Sequence, residues 1–255
     1  MISVLIPALG NQFGRFEWGT AVRHILDMDL NVDYEIIVCS PSKWPLSHPK
    51  IKVISDPEGN EGSIKPVNEC LRVSQGEYFI SMPSDHLIHP NSFNIQSFIE
   101  SEAFANRKYK ITSTGLVSQP KPGTNLSILG NKHIDQWLAR TTEIDNLTRA
   151  NVPILTFPAG ARSTVEDLLD GVIFNETFKH VAGDNFLSAY VTSKENPQQL
   201  PLFMPETACG RDNASAAQNQ LRERDMHAYF ELMRYYIHHP DMTYNHILEI
   251  DEDFE

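Results

Sequence analysis

Gly76-Glu77-Tyr78-Phe79-Ile80-Ser81-Met82-Pro83-Ser84-Asp85-His86-Leu87-Ile88-His89-Pro90 is the stretch on which the fold reading turns. Glu77 to Met82 reads as a short strand, with Gly76 in front and Pro83 behind. Ser84, Asp85 and His86 follow directly, before Pro90-Asn91 opens what reads as a new helix. In an open α/β sheet, ligands bind in the crevice outside the carboxyl ends of the strands. A carboxylate held there takes a hard divalent cation, and the cation takes a diphosphate. Asp85 has a second reading, as the residue that caps the turn leading to Pro90.

Towards the N-terminus, Ile2 to Ile6 is an unbroken apolar run stopped by Pro7, as expected of a central strand buried on both faces. A loop with Gly10 and Gly14 follows, and then Phe16, Val22, Ile25, Leu26 and Leu30 recur at helical spacing. Tyr34–Cys39 and Ile51–Ile54 read as further strands, the second followed by loop chemistry from Asp56 to Gly62. Ser63–Ser74 reads as a helix that tolerates Pro66 in its first turn. Strands and helices in this order, with short connections, predict a mainly parallel sheet covered by helices. Right-handed crossovers bring the carboxyl ends of strands one, two and four to one edge. Pro7–Gly10, Cys39–Ser42 and Ser84–His86 are therefore expected to line one crevice.

Towards the C-terminus, Ser92–Phe104 reads as a helix, Tyr109–Val117 as a strand and Gln119–Asn125 as a loop. Lys132–Ala150 reads as an amphipathic helix, and Pro153–Phe157 as a short strand closing at Pro158-Ala159-Gly160. Ser163 and Glu166 have capping-box spacing at the start of a helical turn. Ala182–Thr192 reads as a helix starting near Gly183-Asp184. Lys194–Arg211, with three prolines, reads as a long connection: either a mobile lid or a surface excursion around the core. Asp212 or Asn213 then caps a helix to about His239, with Met226, Tyr229, Phe230, Met233 and Ile237 as its apolar face.

The formal charge of −12 on 255 residues argues against a nucleic-acid binder, whose affinity rests on clustered Lys and Arg. An acidic chain that holds an anion needs a local cation, either a metal or a few placed basic side chains. Cys39, Cys70 and Cys209 form no Cys-x-x-Cys pair, so neither a zinc site nor a disulfide framework is suggested, and a cytoplasmic setting is expected. No signal peptide and no run of roughly 20 apolar residues is seen, so a soluble chain without a transmembrane segment is expected.

Over residues 2 to 93 the chain resembles the family-2 glycosyltransferases with a GT-A fold. The resemblance is carried by the Pro7-terminated first strand, by Tyr34-Glu35-Ile36-Ile37-Val38, and by Asn60-Glu61-Gly62 with Asn68 in the helix beyond. Ser74-Gln75-Gly76-Glu77-Tyr78 leading into the family's Asp-x-Asp position completes it. It implies an α/β, GT-A-type, mainly parallel sheet flanked by helices, in a single domain with a C-terminal helical extension. Residues 1–195 would be catalytic, with 1–93 the nucleotide-sugar-binding half and 94–195 the acceptor half. Residues 196–255 would be a lid-like loop and a long helix packed on the same domain.

The first acid of Asp-x-Asp is Pro83 here, and the second survives as Asp85. The resemblance thus implies Mn2+ or Mg2+ on Asp85, with His86 either a second ligand that favours manganese or a solvent-facing loop residue. The acids usual after the second strand are replaced by Cys39-Ser40-Pro41-Ser42, leaving Ser40 and Asp56 to contact the nucleotide. Pro7, Ala8, Leu9, Lys65 and Ser84 complete the implied nucleotide-sugar contacts. Lys65 and the arginines from Arg211 to Arg224 are either diphosphate contacts or solvated surface.

Gly171-Val172-Ile173-Phe174-Asn175-Glu176-Thr177-Phe178 resembles the family's Gly-Gly-Phe-Asp-Glu-x-Phe, which makes Asp184 the implied general base. Asp184 also suits a helix N-cap, and the two roles can coexist. The implied activity is inverting transfer of a sugar from a nucleotide-diphosphate donor to the hydroxyl of a glycan or other acceptor. Two alternatives stand beside it. One is a non-catalytic nucleotide-sugar-binding or interaction domain, motivated by Pro83 and by the missing acids after Val38. The other is a nucleotidylyltransferase, for which Ala8 to Arg15 only loosely imitates the required Gly-rich basic loop.

Overall fold

The computed structural model describes residues 1–8, 18–41, 47–56, 62–84, 87–117, 155, 157–195, 202–209 and 216–250. At its centre is β1 (Ile2–Pro7), every residue of which is buried. β2 (Tyr34–Ser40) and β4 (Tyr78–Ser81) flank it in parallel, and β3 (Ile51–Ser55) adds parallel to β2. Side chains alternate across the pleat, so one strand feeds two cores. Leu5, Ile37 and Phe79 enter the core on one face, while Val4, Ile6, Ile36, Val38 and Ile80 enter the core on the other. The near-continuous apolar runs follow from that double burial.

Beyond β4 the sheet becomes mixed. β7 (Pro158–Ala161) lies antiparallel to β4 and to β6 (Ile111–Val117). β8 (Leu202–Cys209) runs parallel to β6, and the two-residue β5 (Leu87–Ile88) closes that end antiparallel to β8. Among the described residues the order is β3-β2-β1-β4-β7-β6-β8-β5. The expected α/β architecture is present, with the parallel block confined mostly to the first half of the chain.

Helices cover both faces. α1 (Trp18–Leu26) and α3 (Ile95–Ile99) pack on one side. α2 (Ile64–Val73), α4 (Arg162–Leu168), α5 (Gly183–Lys194) and α6 (Ala216–His238) pack on the other. At the amino ends of the strands, Ser3 Oγ donates to Glu35 Oε1 at 2.6 Å and accepts from the Gly76 amide at 2.9 Å. A Cβ on Gly76 would overlap that hydroxyl, which is why glycine precedes β4.

Several elements differ from the sequence reading. Pro158-Ala159-Gly160, expected to end a strand, is itself the strand. Proline is tolerated as a first strand residue, and Gly160 passes so close to Lys110 and Ile111 that no side chain would fit. The capping box at Ser163 does not form: α4 begins at Arg162 without a side-chain cap, and Glu166 pairs instead with Arg162 Nε at 2.6 Å. The Ser92–Phe104 helix is broken into 3-10 turns at Pro90–Asn94 and Glu102–Phe104 around the short α3. The lid-like connection after Lys194 contains β8, whose backbone is committed to the ladder with β6. The expected helix over 132–150 lies outside the described residues. Among the described residues no helix is long and apolar enough to cross a membrane.

Candidate active site

The parallel register sets Pro7 beside Cys39, Leu5 beside Ser81 and Ser40 beside Ser55. The ladder continues one residue past each strand. Ala8 N–H donates to Cys39 O at 2.8 Å, Met82 N–H to Leu5 O at 2.9 Å and Asp56 N–H to Ser40 O at 3.3 Å. Pro7-Ala8, Ser40, Asp56 and the Met82–Ser84 turn therefore leave the sheet at one edge. Ala8 and Ser40 are buried there, and Asp56 and Ser84 are half-buried.

α2 runs back from the carboxyl end of β3 to the amino end of β4, so its first turn, with Lys65, stands at that same edge. The amides of Ser63 and Ile64 both donate to Lys179 O, at 2.9 and 3.0 Å. These are among the amide groups that a helix start leaves without intrahelical partners. Ser63 Oγ lies 3.2 Å from His180 Nδ1. A Cβ on Gly62 would overlap the Lys179 carbonyl, so the approach of the two segments requires glycine.

Three residues beyond Val181 comes Asp184. Ala182 turns the chain with φ 62°, a left-handed conformation that a non-glycine residue adopts at some energetic expense, and α5 starts at Gly183. A Cβ on Gly183 would stand 3.0 Å from Ile64 Cδ1, so the start of α5 abuts the start of α2. Ala182 occupies the cap position and Asp184 lies within the first turn, where it is half-buried and accepts from Asn185 N–H at 2.9 Å. Its negative charge is favoured at a helix start. Burial, and after it the Asp184 carboxylate, pushes the Tyr229 hydroxyl above its ordinary value.

Solved structures match this chain in fold. S. aureus TarS 1–349 in complex with UDP-GlcNAc matches at TM-score 0.60 and 14% identity, over 95% of this chain and 68% of that one. The mannosyltransferase PcManGT from Pyrobaculum calidifontis, in complex with GDP-Man and Mn2+, matches at 0.52 and 12%, over 92% and 64%. Glucosyl-3-phosphoglycerate synthase from Mycobacterium tuberculosis, in complex with Mn2+, UDP-Glc and phosphoglyceric acid, matches at 0.51 and 14%, over 89% and 77%. The fold is GT-A. No family model matches the chain, and no curated protein matches its sequence. The chain spans 67% of TarS 1–349 and 40% of the longer TarS chain.

On this GT-A frame, Pro7, Ala8, Ser40, Asp56 and Ser84 lie at the carboxyl edge with Lys65 in the adjoining first turn of α2, and Asp184 lies in the first turn of α5, whose start packs against that of α2. Leu9, Asp85 and His86 lie outside the described residues. Among the described residues no group of three or more His, Cys, Asp or Glu side chains is disposed to hold a metal. Arg224, read as a possible diphosphate contact, turns inward: its Nη1 donates to Thr177 O and to Asp225 Oδ1, each at 3.0 Å.

Two supporting residues emerge from the structure. Asn68, quoted above only for the family likeness, is fully buried and bonds the backbone of Ile173 and Phe174. Asp225 is also fully buried and accepts from the amides of Lys179, His180 and Val181. No pattern in the sequence singles out Asp225; in the structure it shares a helical face with Ala228 and Leu232, both buried, where an unpaired charge would be costly.

Proposed function

We propose that the chain is a glycosyltransferase that moves a sugar from a nucleoside-diphosphate donor to an acceptor hydroxyl with inversion. The observation that carries this reading is the GT-A sheet edge, where four strand ends lie beside the start of α2 and the start of α5 packs against α2. Pro7, Ala8, Leu9, Ser40, Asp56 and Ser84 bind the nucleotide, and Lys65 adds positive charge beside the diphosphate. Donor complexes with UDP-GlcNAc, GDP-Man and UDP-Glc among the fold neighbours support the donor class.

Asp184 takes the proton of the acceptor hydroxyl as that oxygen attacks the anomeric carbon. The bond from that carbon to the diphosphate breaks on the opposite face, which gives inversion. Asp85, with His86 as a second ligand, would hold a divalent cation, which would supply charge against the leaving diphosphate; two of the neighbours carry Mn2+ with their donors. A general base contributes on the order of 10²–10⁴-fold. Asp184→Asn is therefore expected to lower transfer from a panel of uridine and guanosine diphosphate sugars by about that factor, with donor affinity little changed. Full turnover in the variant removes Asp184 from the reaction.

Pro83 in place of an acid motivates the second reading, a nucleotide-sugar-binding domain without turnover. Calorimetry beside the transfer assay separates the two, since binding without transfer supports the second.

A further inference from the structure

We infer that Asp225 is a positioning residue for the transfer reaction, acting through the 179–181 backbone to set where Asp184 stands; the inference rests on the role proposed for Asp184. Asp225 lies on α6, far along the chain from the site, and its side chain has no solvent exposure. Oδ1 accepts from Lys179 N–H at 3.0 Å, and Oδ2 accepts from His180 N–H at 2.6 Å and Val181 N–H at 2.7 Å. Arg224 Nη1 adds a fourth donor at 3.0 Å. A buried carboxylate persists only when its charge is met by such donors, and bonds to an ionised acceptor are about twice as strong as neutral ones.

Three consecutive amides drawn onto one carboxylate fix the path of that backbone. The same segment presents Lys179 O to the amides of Ser63 and Ile64, so Asp225 also ties α6 to the start of α2. From Val181 the chain passes only through left-handed Ala182 and tightly packed Gly183 before Asp184. An error in the 179–181 path therefore reaches Asp184 with little slack to absorb it. Misplacement of a reacting group by about 1 Å costs on the order of 10²-fold in rate.

Asp225→Asn tests this in the full chain. The substitution removes the charge and turns one acceptor into an amide that faces backbone donors. The expected result is a fall in kcat of about 10–100-fold, with donor KM within about threefold of wild type. In an Asp184→Asn background the same change should lower kcat by less than about twofold, because the group it positions is already gone. Hydrogen exchange at the amides of Lys179, His180, Val181, Ser63 and Ile64 should quicken at least ~10-fold while β1 and β2 stay protected.

If Asp225→Asn does not fold, Arg224→Gln makes the milder test, with the same readouts and smaller changes in the same direction. Losses that multiply fully in the double variant, or exchange that is unaltered, overturn the inference. Wild-type kcat in Asp225→Asn beside an impaired Asp184→Asn overturns it alone and leaves the base in place. Undiminished turnover in Asp184→Asn removes the base and this inference with it.

Discussion

Asn68 holds the backbone of Phe174 at both ends of the residue. Its Nδ2 donates to the Phe174 carbonyl at 2.8 Å, and its Oδ1 accepts from the Phe174 amide at 3.2 Å. The same Oδ1 accepts from Ile173 N–H at 3.0 Å, so one side chain in α2 satisfies three backbone groups of the loop after α4. Each buried polar group left without a partner costs roughly 1–3 kcal/mol. Asn68→Ala is expected to destabilise the protein by about 3 kcal/mol or more in urea unfolding. Asn68→Asp should be no milder than Ala, because the oxygen that replaces Nδ2 would face the Phe174 carbonyl and Glu176 Oε1, which Nδ2 now meets at 2.8 and 3.1 Å. Equal unfolding midpoints for Asn68→Ala and wild type would contradict this account.

Gly62 gives a second, independent handle on the same junction. Any Cβ there overlaps Lys179 O, the acceptor for the first amides of α2. Backbone has no rotamer by which to retreat, so Gly62→Ala should separate α2 from the 179–181 segment. A loss of about 1–3 kcal/mol is expected, as for other overpacked sites. Transfer activity should fall as well, since Lys65 and Asp184 stand on the two sides of that contact. A variant with wild-type melting temperature and turnover would show the junction to be dispensable.

The first half of the fold was legible because its signals are local. β1 and β2 are buried on both faces, so burial leaves unbroken apolar runs, and proline or serine stops them at the edge where the site lies. The second half is held by pairings remote in sequence. Pro158-Ala159-Gly160 looks like a loop because its reasons for being a strand, the backbones of β4 and β6, lie some 80 and 45 positions away (Phe79 and Ser113). β8 was hidden for the same reason, its proline at 205 masking a strand supported by β6. The site divides likewise: strand ends could be read off the chain, whereas Asp225 gains meaning only from amides more than 40 residues upstream.

α6 bears out its expected apolar face at Met226, Tyr229 and Met233 but not along the whole stripe. Phe230 and Ile237 fit the apolar stripe, yet they are 60% and 71% exposed, while Ala228 and Leu232 are fully buried. The helix is turned so that Asp225, Ala228 and Leu232 face the core, with Tyr229, Met233 and Tyr236 partly buried beside them. Leu232→Ala is expected to cost about 2–5 kcal/mol, the range for truncating a core leucine. Phe230→Ser and Ile237→Ser should each stay within about 0.5 kcal/mol of wild type, as exposed substitutions do. Chemical denaturation of the three variants checks the rotation of the helix, and a reversed order would refute it.

His24 makes the stability of the α1–β5 contact depend on pH. Burial holds its imidazole below the ordinary value of 6.5, against the upward pull of the Ile88 carbonyl, which Nε2 meets at 3.0 Å, and of Asp27; His89 adds to the downward push. Below pH 6.5 the unfolded chain takes up a proton at this position more readily than the folded one. Stability from this group is therefore whole above 6.5 and declines as the pH falls from there towards the lower folded value. Unfolding midpoints measured from pH 8 to pH 5 should fall more steeply for wild type than for His24→Gln in that window. Because the two proteins share every other ionisable group, only the difference between the two curves reports on His24. Parallel curves across the window would mean that the folded protein does not resist protonation at this ring.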